Sequence, residues 1–202
     1  MAGLAWGVLG GTFDPVHIGH MALAEAAREQ LNLGRVIWVP AGDPWRKADR
    51  TVTAAEHRVA MVELAIRDSP QFELCMIEVE RQGPSYSVDT LAELRRRAPE
   101  HELYFILGRD ALFDLPAWRE PAKLIEVAQL AVTTRGEARP TREALEQLVP
   151  GLAPRVVWVE MPQVDVSATM LRELAAQGRS LRSLVPSRVD AYIRERGLYR
   201  GS

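Results

Sequence analysis

Apolar runs and amphipathic stretches alternate along the chain. Leu4-Ala5-Trp6-Gly7-Val8-Leu9 is short and almost wholly apolar, as expected of a strand covered on both faces. Met21-Ala22-Leu23-Ala24-Glu25-Ala26-Ala27 is rich in strong helix formers. Arg35-Val36-Ile37-Trp38-Val39-Pro40 is a second strand, with Pro40 and Gly42 marking its end. Thr53 as N-cap, with Glu56 at the capping-box position, opens a helix carrying Val59, Met61, Val62, Leu64, Ala65 and Ile66. Residues 72–76 read as a third strand and residues 83–87 as a turn. Ser87 caps a helix from about Val88, with Leu91 and Leu94 inward; its Arg95-Arg96-Arg97 end suits the negative pole of the helix dipole.

The clearest later strand is 102–108. Trp118 follows in a loop or broken helix between Pro116 and Pro121, and 127–133 is another buried strand, ending at Thr134-Arg135-Gly136. A short helix at 141–148 and a last strand at 155–159 come next. Ser167 caps a helix through Ala176, and 189–196 is the terminal helix. Strands thus alternate with helices throughout, which predicts an α/β fold: a doubly wound parallel sheet with helices on both faces and right-handed crossovers. Ligands of such sheets sit beyond the carboxyl ends of the strands, at the switch point of the strand order.

Composition narrows the picture modestly. The chain has 202 residues, suited to one domain over 1–202, with the helical segment at about 167–200 belonging to it. Apolar residues make up 47%, charged residues 26%, and the net charge is −2. That balance argues against a nucleic-acid binder with a strongly basic face. A single cysteine, Cys75, excludes an internal disulfide and suits a reducing compartment. No apolar run approaches the roughly 18 residues of a membrane span, and the start of the chain lacks a basic patch followed by an apolar block. The expected location is the cytoplasm, with no membrane partner.

The chemistry concentrates in Gly10-Gly11-Thr12-Phe13-Asp14-Pro15-Val16-His17-Ile18-Gly19-His20, between the first strand and the first helix. Glycines at a strand end let backbone approach a ligand closely, and Asp14-Pro15 makes a turn. His17 and His20, three apart at a helix start, share one face. Free N–H groups and the positive pole of the helix add to them, so the segment predicts a polyphosphate cradle. Arg46-Lys47 after the second strand offers a cationic arm for a phosphate. In Ser167-Ala168-Thr169-Met170-Leu171-Arg172 two hydroxyls stand at a helix start with an arginine one turn on.

These segments resemble the nucleotidyltransferase superfamily. The first is similar to its (T/S)-x-x-H-x-G-H signature, shared with class I aminoacyl-tRNA synthetases. The last is similar to its (I/V)-S-S-T-x-(I/L)-R signature, with Ala168 in place of the second serine. A closer resemblance, spanning Gly10 to Tyr199, is to bacterial nicotinate-nucleotide adenylyltransferases. Glu78-Val79-Glu80-Arg81-Gln82-Gly83-Pro84-Ser85-Tyr86-Ser87-Val88-Asp89-Thr90-Leu91 resembles their E-x-x-R-x-G-x-S-Y-T-x-D-T-L run. His57-Arg58-Val59-Ala60-Met61 resembles H-R-x-x-M. Residues 108–118 resemble G-x-D-x-L-x-x-L-x-x-W. Tyr192-Ile193 with Leu198-Tyr199 resembles Y-I-x-x-x-x-L-Y. One departure stands out: the family's P-P-H-K is Pro44-Trp45-Arg46-Lys47 here.

The resemblance implies a single Rossmann-like domain that joins ATP to nicotinate mononucleotide, yielding deamido-NAD and pyrophosphate. It implies His17, His20, Lys47 and Arg172 as the charge-neutralising groups. Gly10, Gly11, Thr12, Phe13, His17, Gly19, His20, Gly108, Asp110, Ser167, Thr169 and Arg172 would lie toward ATP. Asp14, Lys47, Ser85, Tyr86, Ser87, Asp110, Trp118 and Arg135 would lie toward the mononucleotide, with Trp118 stacked on the pyridine ring. Mg²⁺ would be held mainly by the ATP phosphates, since the chain has no dedicated metal cage. Assembly as a homo-oligomer is compatible with this. The Ser85 turn carries no cation beyond Arg81, so neutral donors at a helix start are expected to meet the nicotinate carboxylate. The rival readings are an adenylyltransferase for nicotinamide mononucleotide or pantetheine phosphate, an RNA-linked protein, and a non-catalytic nucleotide sensor. The acidic charge and missing Lys-Met-Ser-Lys-Ser loop weigh against the second, and the presence of His20 with Arg172 against the third.

Overall fold

The computed structural model describes residues 5–44, 52–134 and 136–200. Six strands are described: β1 (Ala5–Gly11), β2 (Arg35–Pro40), β3 (Phe72–Leu74), β4 (Glu102–Gly108), β5 (Gln129–Thr134) and β6 (Val156–Glu160). They form one sheet in the order β3-β2-β1-β4-β5-β6, and every neighbouring pair is parallel. The helices are α1 (Ile18–Gln30), α2 (Ala55–Ile66), α3 (Ile77–Glu80), α4 (Ser87–Arg97), α5 (Arg109–Phe113), α6 (Pro121–Val127), α7 (Arg142–Leu148), α8 (Ala168–Ala176) and α9 (Ser187–Arg196).

The two-residue period of a strand sends alternate side chains to opposite faces, and both faces are covered here. Val8, Ile37, Val39, Phe105, Leu107, Leu130 and Val132 meet Val88, Leu91 and Leu94 of α4 and Leu124 and Ile125 of α6. Their neighbours Leu9, Val36, Trp38, Ile106 and Ala131 pack with Ala24 and Ala27 of α1, Met61 and Val62 of α2, Leu171 of α8 and Ile193 of α9. Two cores, one per face, account for the near-continuous apolar character of the strands. The strand order changes direction between β1 and β4, so their carboxyl ends open the crevice where such sheets bind ligands.

Four local expectations change. Thr53 does not cap α2; the N-cap is Ala54, without a side-chain bond. The Thr53 backbone is engaged elsewhere, its carbonyl accepting from Arg58 Nε at 2.8 Å. Ser87 is the first residue of α4, after Tyr86 as N-cap. Finally, 75–76 leave the third strand before α3, and Val127 ends α6 rather than opening β5. Short apolar runs fit helix and strand alike, and tertiary packing decides between them. Ser167 does cap α8, accepting from Met170 N at 3.2 Å, and Thr141 caps α7.

Candidate active site

A cavity of about 680 Å³ opens at the carboxyl ends of β1 and β4. One wall is Gly10 to Asp14 with His17, Gly19 and His20; the other includes Ser85, Tyr86, Ser87, Gly108, Trp118 and Arg119. His17 is the N-cap of α1 and His20 stands at N3, so a single helical turn brings both rings to the cavity. The rings stack with centroids 3.7 Å apart and planes 23° apart. His20 Nδ1 accepts from the His17 backbone N–H at 3.2 Å. A ring nitrogen that accepts carries no proton, so the neutral His20 ring holds its proton on Nε2, as a donor. Gly19 leaves room between them. A Cβ there would lie 3.1 Å from His17 Nδ1 and 3.1 Å from Val166 Cγ1.

The loop from β1 to α1 is fastened from three distant elements. Arg58 of α2, 1% exposed, donates to the carbonyls of Thr12 at 2.9 Å, Ala41 at 2.6 Å and Gly42 at 3.1 Å, besides Thr53. Burial pulls its pKa down, while the charge of Asp14 opposes this; an arginine stays charged regardless. The Tyr199 hydroxyl donates to Asp14 Oδ1 at 2.8 Å, and Thr53 N–H reaches Asp14 Oδ2 at 3.4 Å. Burial, then the Asp14 charge, drives the Tyr199 hydroxyl far above its ordinary pKa, so it remains a donor. Arg172 of α8 donates to the Asp14 carbonyl at 2.8 Å and to Thr169 Oγ1 at 3.2 Å. The segments His57–Met61 and Tyr192–Tyr199 therefore meet: His57 Nδ1 lies 2.9 Å from Tyr192 Oη, and Tyr199 Oη lies 3.9 Å from Met61 Sδ.

The opposite wall is tied by shorter, mostly neutral groups. Ser85 Oγ accepts from the backbone N–H of Gly42 at 3.0 Å and of Asp43 at 3.2 Å. A Cβ on Gly42 would fall 2.1 Å from the Glu78 carbonyl oxygen, so only glycine admits this contact. Glu78, 6% exposed, accepts from Thr90 Oγ1 at 2.7 Å. Burial raises its pKa; its bonds with Thr90 and Ser85 and the charge of Arg81 work the other way. Trp118 meets Phe105 edge-on, centroids 5.9 Å apart.

Of the residues expected from the sequence, Gly10, Gly11, Thr12, Phe13, Asp14, His17, Gly19, His20, Ser85, Tyr86, Ser87, Gly108 and Trp118 line the cavity. Asp110 is exposed on α5 and is not on that wall; neither are Ser167, Thr169 and Arg172, and α8 presents Ala168 there instead. Lys47, with Trp45 and Arg46, and Arg135 lie outside the described residues. Glu78, Asp114 and Arg119 line the cavity without having been singled out as functional.

A doubly wound parallel sheet with a His-x-Gly-His helix start at its switch point is the architecture of a nucleotidyltransferase. The chain belongs to the cytidylyltransferase-like family, a family model matching residues 8–174. Within it the chain is 44% identical over 201 residues to a probable nicotinate-nucleotide adenylyltransferase of Dehalococcoides mccartyi, covering 98% of each chain. It is 46% identical over 194 residues to that of a Roseiflexus species, covering 96% of this chain and 97% of the relative. The fold is shared with a Plasmodium falciparum nicotinic acid mononucleotide adenylyltransferase complexed with NaAD, at a TM-score of 0.80 and 19% identity, covering 96% and 97%.

Proposed function

We infer that this chain is a nicotinate-nucleotide adenylyltransferase, transferring the adenylyl group of ATP to nicotinate mononucleotide in NAD biosynthesis. The observation that carries the reading is one continuous cavity at the β1–β4 crevice. It has an imidazole pair at a helix start on one wall and an aromatic, hydroxyl-bearing turn on the other. The first wall suits phosphates, the second a flat heteroaromatic acid.

The acceptor phosphate attacks the α-phosphorus in line. A new O–P bond forms as the bond to the β-phosphate oxygen breaks, and pyrophosphate leaves with that electron pair. The nucleophile is already an anion, so no covalent enzyme intermediate is needed. The protein positions the two phosphates and neutralises developing charge. His20 Nε2–H would donate to the α-phosphate oxygens, with His17 beside it. Arg172, two of whose N–H groups hold Asp14 and Thr169, has others for the leaving phosphates. Lys47 would add a loop-borne cation. Mg²⁺ carried on the triphosphate would supply further neutralisation. Among the described residues no group of three or more His, Cys, Asp or Glu is placed to hold a metal ion, so its donors would be the phosphates. No helix among the described residues is long and apolar enough to cross a membrane; the single cysteine supports a cytoplasmic location.

The test supplies ATP with nicotinate mononucleotide, nicotinamide mononucleotide and pantetheine phosphate in turn, reading pyrophosphate release. The acid is expected to be preferred over its amide by about 10² to 10³ in kcat/KM, because a hydrogen-bonding site strongly rejects a mismatched polar group. Equal use of acid and amide would overturn the acid-specific reading.

A further inference from the structure

Arg119 is the one arginine or lysine on the cavity wall among the described residues. Its guanidinium carbon lies 4.5 Å from the centroid of the Tyr86 ring, a cation–π contact that fixes the group without neutralising it. None of the ion pairs among the described residues involves it. Of the carboxylates that line the cavity, Asp14 on the opposite wall is held by Tyr199 and Thr53, Glu78 is held by Thr90, and Asp114 follows α5. Arg81, the cation nearest in sequence to the Ser85 turn, donates to Thr90 Oγ1 at 3.2 Å and does not line the cavity. Arg119 follows Trp118 directly and rests on the residue preceding Ser87, so its charge stands at the aromatic end of the cavity, on the wall opposite the imidazole pair.

We infer that Arg119 is a specificity-determining residue, its Tyr86-held guanidinium reading the carboxylate of the nicotinate ring and so favouring the acid over the amide. This rests on the reading of the site given above and revises the expectation that neutral donors do the work alone. The acid and amide mononucleotides carry the same phosphate and differ only in the group on the ring. A cation addressing the phosphate would therefore act on both equally, whereas one addressing the ring substituent separates them. Arg119 is exposed, so solvent screens the contact and its effect is moderate.

The experiment measures kcat/KM for both mononucleotides at saturating ATP in wild type, Arg119→Gln, Arg119→Ala and Arg119→Lys, at low and high KCl. The expected result is an acid-over-amide ratio lowered about three- to tenfold in the Gln and Ala variants, mainly through KM for the acid, the scale of an exposed charge contact. Lys should restore part of the ratio, and added KCl should lower it in wild type more than in Arg119→Gln. Because the side chain is exposed, melting temperatures should stay close to wild type; Gln keeps the polar stem if Ala does not. A ratio unchanged in Arg119→Gln overturns the inference while leaving the adenylyltransferase reading in place. So does a loss confined to KM for ATP. A wild-type enzyme that forms no dinucleotide from either mononucleotide overturns both.

Discussion

The two walls of the cavity are built on different principles. The proposed phosphate wall, from Thr12 to His20, is held by charged or charge-paired groups arriving from far along the chain: Arg58, Arg172 and Tyr199. The proposed acceptor wall, from Glu78 to Ser87, is held by hydroxyls and backbone amides around one buried carboxylate, Thr90 meeting Glu78 across 12 positions and Ser85 meeting Gly42 and Asp43 across 43 and 42 positions. The first wall must keep a helix start and two stacked imidazoles in one arrangement. Arginine suits that, since its planar fork satisfies several carbonyls at once. The second wall is a close-fitting turn, which Ser85, Thr90 and the Gly42 contact build without long flexible side chains.

The largest expected effect removes the centre of the first wall. Arg58→Met keeps the volume but leaves four carbonyls without their donor and Asp14 without its buried counter-charge. Losing one partner of a buried charged network costs about 3–5 kcal/mol, read as the shift in a urea unfolding curve. A cost below about 1 kcal/mol, the worth of one ordinary hydrogen bond, would show that the loop does not depend on Arg58. His20→Ala comes next and should separate chemistry from stability. Turnover is expected to fall by about 10² to 10³, the scale of one lost oxyanion donor. Losing the bond from the His17 N–H should cost only about 1 kcal/mol, the usual scale of a helix cap. Near-normal turnover would remove His20 from the reaction.

These supports also show where sequence reading stops. The imidazole pair is legible because its parts fall within one turn of helix and each residue type has a physical use there. The alternation of apolar runs likewise foretells the sheet, since strands covered on both faces must be apolar throughout. Arg58 and Tyr199 could be seen only as matches to a family pattern. Their partners lie 46 and 185 positions away, and nothing local distinguishes a buried arginine from the 25 arginines and lysines of the whole chain. Arg119 is hidden for a different reason: Tyr86 and Arg119 meet only because the turn before α4 and the segment after α5 face the same crevice. The expected third strand, 72–76, runs two residues past β3 because Cys75 and Met76 continue its apolar run, whereas the chain leaves the sheet after Leu74 and enters α3 at Ile77.

The smallest expected effect probes the acceptor wall through Glu78. Burial raises its folded-state pKa above that of an unfolded glutamate, outweighing the bonds with Thr90 and Ser85 and the Arg81 charge. The sign follows from proton linkage: the folded state binds the proton more tightly than the unfolded state, so this group's contribution is fully present below the unfolded pKa. It is lost as pH rises through the folded pKa. Glu78→Gln is never ionised, and its amide oxygen can still accept from Thr90. The variant should therefore lack this group's loss of stability with rising pH, and its stability relative to wild type should improve from pH 4 toward neutrality. The difference should stay within about 1.5 kcal/mol, the scale of one hydrogen bond exchanged for another. Urea unfolding of both proteins across that range measures it. A difference that moves the other way, with the Gln variant losing ground as pH rises, would mean that the ionised Glu78 is stabilised by Thr90, Ser85 and Arg81 more than burial opposes it. The acceptor wall would then be anchored by charge, as the phosphate wall is.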